Sequence, residues 1–427
     1  MINIVDAADI SADDLISMRD ERTPDVSSVV GEIINDIKLR GDLALGEYTL
    51  RFDQADLSDF KVSDDEIKKA VSEVGVDFLE ILKTAAENIR LFHEKQRRDG
   101  FNLDNGDGVI MGQRILPLER VGVYIPGGTA PYPSTVLMDI IPAKVAGVGE
   151  VLMITPPKPD KSVDAGILAA ASIAGADRIF KAGGAQAIAA FAYGTKTIPK
   201  VDKIVGPGNI FVATAKKIVY GVVDIDMTAG PSDILIIADS TADPVFIASD
   251  MLAQSEHDEN AAAVLLTPDI RVAEAVKDEL AIQLENLQRK HIAEASLRKN
   301  GRIILTGDIA QAIDFSNALA PEHLELCIAD PFALLNNIKN AASVFLGNYT
   351  PEVLGDYFAG PNHTLPTMGS SRFFSPLSVD DFIKKSSYLS YSDQALSKCG
   401  DMVECFAMRE GLYAHAKSIA ARTRRGV

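Results

Sequence analysis

The sequence predicts an α/β protein with two doubly wound, incomplete Rossmann-like domains and helical extensions at both ends. Three observations lead to this fold. Short β-rich runs alternate with helical segments from Arg120 onward, a similar alternation begins again at Ala262, and glycine-rich turns follow three of the predicted strands. This pattern is typical of parallel sheets wrapped by helices.

The first alternation predicts one parallel sheet with its crossover helices. Its strands are expected at Val121–Ile125, Val151–Thr155, Arg178–Ala182, Lys203–Val205 and Asp233–Ile237. Its helices are expected near Val136–Ala146, Ala165–Ala174, Ala185–Phe191 and Ile210–Tyr220.

The second alternation predicts a second domain built to a similar plan. Its strands are expected at Ala262–Leu266, Arg302–Leu305, Leu324–Ile328 and Ser343–Leu346. Its helices are expected near Ile270–Gln288, Ile309–Asn317 and Pro331–Asn337.

The remaining chain is predicted to be helical. Ser63-Asp64-Asp65-Glu66 has the form of a capping box, and a long helix is expected from Asp77 to about Arg98. We therefore predict an N-terminal helical extension over 1–105, α/β domains over 106–238 and 239–378, and a helical C-terminal segment over 379–427.

Composition narrows the classes of function. The chain of 427 residues has a formal net charge of -18, which argues against non-specific binding to nucleic acid or to an anionic membrane. Its cysteines, Cys327, Cys399 and Cys405, have no CxxC spacing and are expected to be buried free thiols in a reducing compartment. No basic signal-peptide region and no apolar run of about 18 residues is present, so the expected location is the cytoplasm.

Three glycine-rich turns after predicted strands indicate a phosphate-bearing ligand. They are Pro126-Gly127-Gly128, Gly183-Gly184-Ala185-Gln186 and Gly206-Pro207-Gly208-Asn209. Ligands of open α/β sheets bind at the carboxyl ends of strands, where glycine lets them approach the backbone and helix starts can receive an anion. The alternative is that each is a plain tight turn, and no G-x-G-x-x-G stands between a strand and a helix.

A candidate metal site lies at the end of an apolar helical run that begins at Pro244. Gln254 and His257 are three residues apart, so they project from one side of a helix. An amide oxygen and an imidazole there make half of a metal site. The alternative is a solvated helix end, where these side chains satisfy free carbonyl groups.

Acid–base groups are concentrated in the second half of the chain. Glu322-His323 precedes a predicted strand and suits proton abstraction near neutral pH, provided that both residues lie in the loop. Asp356 and His363 are predicted to lie in one glycine-bounded loop.

The other histidines carry simpler interpretations. His415 is predicted to share an apolar face of the last helix, Met408 to about Ala421, which favours a packed core histidine. His93 and His291 have charged helical neighbours and are predicted to be solvent-exposed.

Taken together, the motifs resemble those of histidinol dehydrogenases, from about residue 20 to the C-terminus. The matching segments are Arg120-Val121-Gly122-Val123-Tyr124-Ile125-Pro126-Gly127-Gly128, Ala229-Gly230-Pro231-Ser232-Asp233, Gln254-Ser255-Glu256-His257, Pro321-Glu322-His323-Leu324, Gly355-Asp356-Tyr357, Asn362-His363-Thr364-Leu365-Pro366-Thr367, Glu410-Gly411-Leu412 and Ala414-His415.

This resemblance implies a zinc-dependent, NAD-linked oxidation of L-histidinol through L-histidinaldehyde to L-histidine, the last step of histidine biosynthesis. The implied ligands of one zinc per subunit are Gln254, His257, Asp356 and His415. The implied substrate contacts are these four residues together with Ser232, His323 and Glu410. The implied NAD contacts are Tyr124, Gln186 and Asn209.

The resemblance also implies a homodimer of intertwined subunits, in which the C-terminal segment of one subunit completes the active site of the other. Under this interpretation His415 is a ligand rather than a core residue, and Gln254 and His257 are ligands rather than capping groups. The role of His363 stays open between support of the site and loop packing.

The resemblance also implies separate roles for Glu322 and His323 in the mechanism. Two hydride transfers require two NAD per turnover, with His323 as the base that takes the hydroxyl proton and Glu322 activating the water that hydrates the aldehyde. One alternative is a zinc hydrolase, against which the glycine turns argue. Another is a non-catalytic nucleotide- or metal-binding module, which leaves Glu322 and His323 without a role.

Overall fold

The computed structural model describes residues 2–20, 24–127, 131–228 and 230–423. The chain divides into two compact units. The first consists of the chain up to Gln96 together with Leu118–Phe382, and the second consists of Arg97–Pro117 together with the chain from Ile383.

The strands and helices have the following bounds. The strands are β1 (Ile4–Asp6), β2 (Phe101–Asp104), β3 (Val109–Pro117), β4 (Arg120–Tyr124), β5 (Glu150–Thr155), β6 (Arg178–Lys181), β7 (Lys203–Val205), β8 (Asp224–Ile225), β9 (Asp233–Ala238), β10 (Ala262–Thr267), β11 (Arg302–Leu305), β12 (His323–Cys327), β13 (Ser343–Leu346) and β14 (Ile383–Tyr391). The α-helices are α1 (Ala12–Asp20), α2 (Ser27–Arg40), α3 (Asp42–Asp53), α4 (Asp64–Glu73), α5 (Val76–Glu94), α6 (Pro133–Ala146), α7 (Ala165–Ala174), α8 (Gly184–Tyr193), α9 (Ile210–Val219), α10 (Pro244–Ser255), α11 (Ile270–Leu284), α12 (Lys290–Asn300), α13 (Ile309–Leu319), α14 (Pro331–Leu334), α15 (Glu352–Tyr357), α16 (Asp393–Arg409) and α17 (Tyr413–Thr423).

The first unit contains two parallel sheets. One has five strands in the order β6-β5-β4-β7-β8, and the other has six strands in the order β1-β11-β10-β9-β12-β13. In each sheet the strand order reverses once, between β4 and β7 and between β9 and β12. The carboxyl side of such a reversal is the usual ligand crevice of a doubly wound sheet.

Both parallel sheets are covered by helices on their two faces, which confirms the predicted doubly wound α/β class. Along β9, Ile234 and Ile236 pack against α10, α11 and α12, whereas Leu235 and Ile237 pack against α1 and α13. In the five-stranded sheet, one face packs against α4 to α7 and the other against α2, α3, α8 and α9. The apolar strands are continuous in sequence because both of their faces are buried.

The second unit is built on an antiparallel sheet in the order β14-β3-β2, followed by α16 and α17. Gly411, which has a φ of +76°, lies in the short turn that separates α16 from α17. None of the described helices has the length and apolar composition that crossing a bilayer requires.

The strands and helices predicted within the two alternations are present, with their ends displaced by a few residues. The sheet predicted for Asp233–Ile237 is wrong, because this strand, β9, pairs with β10 and β12 in the six-stranded sheet. The extensions differ from the prediction, because each contains strands. β1 and β2 lie in the part predicted to be helical, and β14 opens the C-terminal segment. The predicted last helix, Met408 to Ala421, is wrong because the chain turns between α16 and α17. The predicted domain bounds stay a prediction.

The exposure of the histidines and cysteines differs in part from the prediction. His93 is fully buried rather than solvated, with Nδ1 2.7 Å from Gln96 Oε1 and Nε2 3.4 Å from Asn362 Nδ2. His291 is exposed, as predicted. Of the cysteines only Cys327 is buried, and Cys405 is exposed.

Candidate active site

The predicted acid–base pair lies at the amino end of β12, beside the amino end of β9. Glu322 precedes the strand and His323 is its first residue. The Glu322 N–H donates to Asp233 Oδ1 at 2.7 Å, and the Asp233 N–H donates to Glu322 Oε2 at 3.0 Å. The Ser232 side chain also hydrogen-bonds to Glu322. These reciprocal bonds hold the loop before β12 against the start of β9.

The surroundings of His323 determine which ring nitrogen carries its proton. The ring is 4% exposed, and Nδ1 lies 3.1 Å from Asp233 O, 3.4 Å from Glu352 Oε1 and 3.9 Å from Glu322 Oε2. The Asp233 carbonyl oxygen can only accept, so Nδ1 carries the hydrogen. Within the described residues, Nε2 has no hydrogen-bond partner.

Burial keeps this imidazole neutral. Burial lowers the pKa of His323, while the nearby Asp356 carboxylate raises it by less. Burial, with the charge of Asp233 next in size, raises the pKa of Glu322 well above its ordinary value. The arrangement places an unprotonated Nε2 in a buried site, which is what a general base requires.

Glu352 is a site residue that the sequence analysis missed. It is 2% exposed, and burial followed by the charge of Asp356 raises its pKa well above the ordinary value. When the Gln254 amide is oriented with its nitrogen toward this carboxyl group, that nitrogen donates to the two Glu352 oxygens at 2.7 and 3.2 Å. Glu352 thereby directs the Gln254 amide oxygen away from itself.

The signal for Glu352 was present in the sequence. Asp356 was predicted to lie in a loop, but it lies on the short helix α15, so the loop prediction is wrong at Gly355–Tyr357. Because residues four apart share one helical face, Glu352 points to the same side as Asp356. Recognition of this helix would have linked the two carboxylates.

One ligand atom each of His323, Glu352 and Asp356 lies within 4.8 Å of the other two. His257, predicted as a metal ligand, follows the end of α10 and is exposed. Burial lowers the pKa of both His323 and His363. His257 lies near enough to both imidazoles to lower the pKa of each further. The three-residue group and the Gln254 amide beside Glu352 offer nitrogen and oxygen donors without any thiolate, and such donors are among those that zinc accepts.

His363 contacts the backbone of Asp356. Its Nδ1 lies 2.8 Å from Asp356 O, and its Nε2 lies 3.1 Å from Thr135 Oγ1 on α6. Asp356 O can only accept, so Nδ1 donates to it. His363 therefore holds the backbone of Asp356 in place, which agrees with support of the site.

The predicted dinucleotide residues lie near the carboxyl ends of β4, β6 and β7. The Tyr124 hydroxyl accepts a hydrogen bond from Gly184 N at 3.1 Å, and Asn209 Oδ1 accepts from the first N–H groups of α9. Gln186 is buried, and in the described part of the chain nothing hydrogen-bonds to its Nε2. An unpaired buried amide beside the sheet's strand-order reversal fits a polar ligand such as a dinucleotide.

The glycine turns also have packing reasons. A Cβ on Gly127 or Gly183 would approach the Pro156 side chain to 2.3 or 2.7 Å, so these glycines also serve the fold. Gly206 has φ of +110°, and a Cβ there would lie 2.1 Å from Tyr124 O. Gly128 and Ala229, which belong to the predicted motifs, lie outside the described residues.

The last two predicted site residues belong to the second unit. Glu410 follows α16 and His415 is on α17, and both are exposed. The core-packing interpretation of His415 is therefore wrong. Gln254, Glu322, His323 and Asp356 belong to the first unit.

Comparison with known proteins identifies the family. A family model described as histidinol dehydrogenase matches residues 16–423. The chain is 54% identical over 398 residues to the histidinol dehydrogenase of Clostridium acetobutylicum, covering 93% of this chain and 92% of that protein. The chain belongs to the histidinol dehydrogenase family.

Other histidinol dehydrogenases agree in sequence and in structure. The Listeria innocua protein is 53% identical over 397 residues, covering 93% of each chain. The crystal structure of histidinol dehydrogenase from Elizabethkingia anophelis is 42% identical and superposes with a TM-score of 0.90, covering 94% of this chain and 93% of that one. Membership makes this chain an oxidoreductase of histidine biosynthesis.

Proposed function

We propose that the protein oxidises L-histidinol through L-histidinaldehyde to L-histidine, in two successive NAD-linked steps at one zinc-containing site. The observation that carries the proposal is the state of His323. Its Nδ1 donates to the Asp233 carbonyl oxygen, and its buried Nε2 is unpaired among the described residues, so the ring is arranged to receive a proton from a substrate.

Gln254, His257, Asp356 and the partner subunit's His415 would hold the zinc. Bound zinc would fix the substrate by its imidazole and amino groups, and bound NAD would take a hydride in each step. Support for this ligand set comes from the Glu352 carboxyl group, which orients the Gln254 amide, and from His363, which hydrogen-bonds to the Asp356 carbonyl.

The chain's own acid–base groups would move the protons. His323 Nε2 takes the hydroxyl proton of the alcohol in the first step. Glu322 removes a proton from the water that hydrates the aldehyde, and Ser232 contributes to substrate binding beside it. The raised pKa of Glu322 suits this task, because a carboxylate of ordinary pKa is a weak base for water.

Tyr124, Gln186 and Asn209 would contact NAD at the carboxyl edge of the five-stranded sheet. The buried unpaired Gln186 amide and the position of these residues at the β4–β7 strand reversal support this assignment. We further propose a cytoplasmic homodimer in which the partner subunit's Glu410 and the partner subunit's His415 complete each site.

The test is the appearance of NADH absorbance when L-histidinol is added to zinc-loaded protein and NAD. Activity should disappear after chelation and return with zinc. Cobalt or manganese should also restore some activity, because the proposed ligands are nitrogen and oxygen only. Full turnover by the metal-free protein would refute the metal assignment. Zinc binding without any NADH would favour the non-catalytic binding module.

A further inference from the structure

A further buried carboxyl group of the region, that of Glu325, has no role in the proposed reaction. Glu325 is the third residue of β12 and is 1% exposed. In the strand register it lies between Ile236 of β9 and Phe345 of β13. A carboxyl group in such an apolar position is costly unless its hydrogen bonds are satisfied, so its partners indicate what it does.

Two polar partners of Glu325 lie on helices that carry site residues, and a third, Cys327 Sγ, lies 4.0 Å from Glu325 Oε2 on β12 itself. Glu325 Oε1 accepts a hydrogen bond from the Glu352 N–H at 2.8 Å, at the first residue of α15. The Asp250 side chain on α10 lies beside the Glu325 side chain, and each acts on the pKa of the other. One side chain therefore joins β12 to α15 and to α10.

These are the elements of the first unit that carry the acid–base and metal-binding groups. β12 carries His323 and follows Glu322, α15 carries Glu352 and Asp356, and α10 carries Gln254 and precedes His257. Asp250 is one helical turn before Gln254, and Glu352 is one turn before Asp356. A shift of either helix against β12 would move a proposed zinc ligand relative to His323.

The Asp250–Glu325 contact requires a proton. Two carboxylates cannot hydrogen-bond to each other, so one of the pair must be protonated to donate. Burial raises the pKa of Asp250 to about 6 and raises that of Glu325 well above its ordinary value, which agrees with a retained proton. The pair then behaves as a neutral donor joined to an acceptor.

We propose that Glu325 is a positioning residue that shares one proton with Asp250 and sets the alignment of α10 and α15 on β12, and hence the spacing of the zinc ligands. This inference rests on the proposed zinc site. It assigns no contact between Glu325 and substrate, NAD or metal.

The test compares two replacements of Glu325 by measuring zinc affinity in a competition titration with a chelator. Glu325→Gln keeps an oxygen to accept from Glu352 N–H and an amide N–H to donate to Asp250, so it should retain wild-type zinc affinity. Glu325→Leu fills a similar volume with an apolar group and loses both hydrogen bonds. We expect it to bind zinc about tenfold or more weakly, as outer partners of metal ligands typically contribute.

A second pair of variants covers the outcome in which Glu325→Leu does not fold. Asp250 lies on a helix and is half-buried, so Asp250→Ala should fold. Asp250→Ala breaks the contact and should weaken zinc binding, whereas Asp250→Asn can still donate to Glu325 and should restore it. Ile236→Val is the control, because it removes one methylene beside Glu325 and touches no polar contact.

The possible results separate the two proposals. Weak zinc binding by Glu325→Leu or Asp250→Ala, with recovery in Glu325→Gln or Asp250→Asn, supports the positioning role. Wild-type zinc affinity in Asp250→Ala and in folded Glu325→Leu would overturn it, as would equal weakening by Ile236→Val. If the wild-type protein itself binds no zinc, the proposed metal site fails instead.

Discussion

Among single residues, the buried imidazole of His323 is the most important for the proposed reaction. Its Nδ1 hydrogen bond to Asp233 O fixes the tautomer, and fixed tautomers are how proteins direct one ring nitrogen at a substrate. The same burial that lowers its pKa also removes water from Nε2. A base in this position stays unprotonated at neutral pH.

His323→Asn should lose most of its turnover and keep its zinc. The asparagine amide can donate to Asp233 O but offers no basic nitrogen, so the loss should be about 100-fold or more. Steady-state NADH formation and zinc content measure the two quantities. His291→Asn, at an exposed position of α12, serves as the control. Turnover close to wild type in His323→Asn would mean that His323 is not the base.

A second prediction at this scale concerns Asp139, a fully buried residue of α6. Its Oδ1 accepts from Thr364 Oγ1 at 2.6 Å, and its Oδ2 has no partner among the described residues. Burial raises its pKa to about 8. The neighbouring Asp226 raises this pKa and Lys216 lowers it, each by less than burial does. The folded state therefore holds this proton more tightly than the unfolded state does.

The sign of the effect follows from this order of pKa values. The favourable contribution is fully present below about pH 4, the ordinary aspartate range, and is lost as pH rises through about 8. Asp139→Asn cannot ionise and keeps an acceptor for Thr364, so above pH 8 it should be more stable than wild type, by at most about 5 kcal/mol. Urea unfolding at several pH values measures this. Parallel stability curves for the two proteins would refute the buried proton.

Sequence patterns identified many site residues but not their surroundings. Glu322, His323 and Gln254 could be named from motifs, and Glu352 could be linked to Asp356 once α15 was recognised as a helix. Glu325 acts through contacts that only the fold creates. His93 shows the limit clearly. Its charged neighbours in sequence indicated exposure, but helical geometry turns this one position inward toward Asn362.

At the scale of elements, segments buried on both faces were predictable and exposed ones were not. After Asp233, β9 is a continuous apolar run, because helices cover both faces of its sheet. β14 is almost entirely exposed and has no apolar alternation that could distinguish it from a helix or loop. β1 has three residues, too few for any periodic signal.

The turn after β7 gives the prediction that belongs to this scale. Gly206→Ala would place a Cβ 2.1 Å from the Tyr124 carbonyl oxygen at φ of +110°, so the turn must shift. Because this turn precedes Asn209, we expect the KM for NAD to rise about tenfold or more, since small displacements of binding groups are costly.

Gly221→Ala is the matched control for this turn. Gly221 also has a positive φ, of +95°, but a Cβ there would have open space around it. The variant should lose stability of about 1 kcal/mol from backbone strain and keep the wild-type KM for NAD. Equal KM values for NAD in the Gly206 and Gly221 variants would mean that the turn after β7 does not contribute to NAD binding.

At the scale of the whole molecule, the proposed dimer makes a prediction about mixed subunits. Chains carrying His323→Asn and chains carrying His415→Ala should each form nearly inactive homodimers. In a purified hybrid dimer, one site would collect both changes, and the other would combine His323 of one chain with the partner subunit's His415. The hybrid should therefore recover about half of the wild-type activity if the sites are independent.

Co-expression with two different affinity tags would yield this hybrid without subunit exchange. The exposure of His415 on α17 agrees with a ligand offered to another chain. The sequence alone favoured a core residue because the predicted helix began at Met408 and ran through the turn at Gly411. An inactive, folded and zinc-loaded hybrid would mean that both histidines serve the site of one chain.

The yield of NADH per L-histidinol consumed shows whether one site carries out both oxidations. With limiting L-histidinol, excess NAD and zinc-loaded protein, we expect about two NADH per substrate molecule and L-histidine as the product, because an alcohol reaches the acid by two hydride transfers. A yield near one, with L-histidinaldehyde as the product, would contradict this expectation.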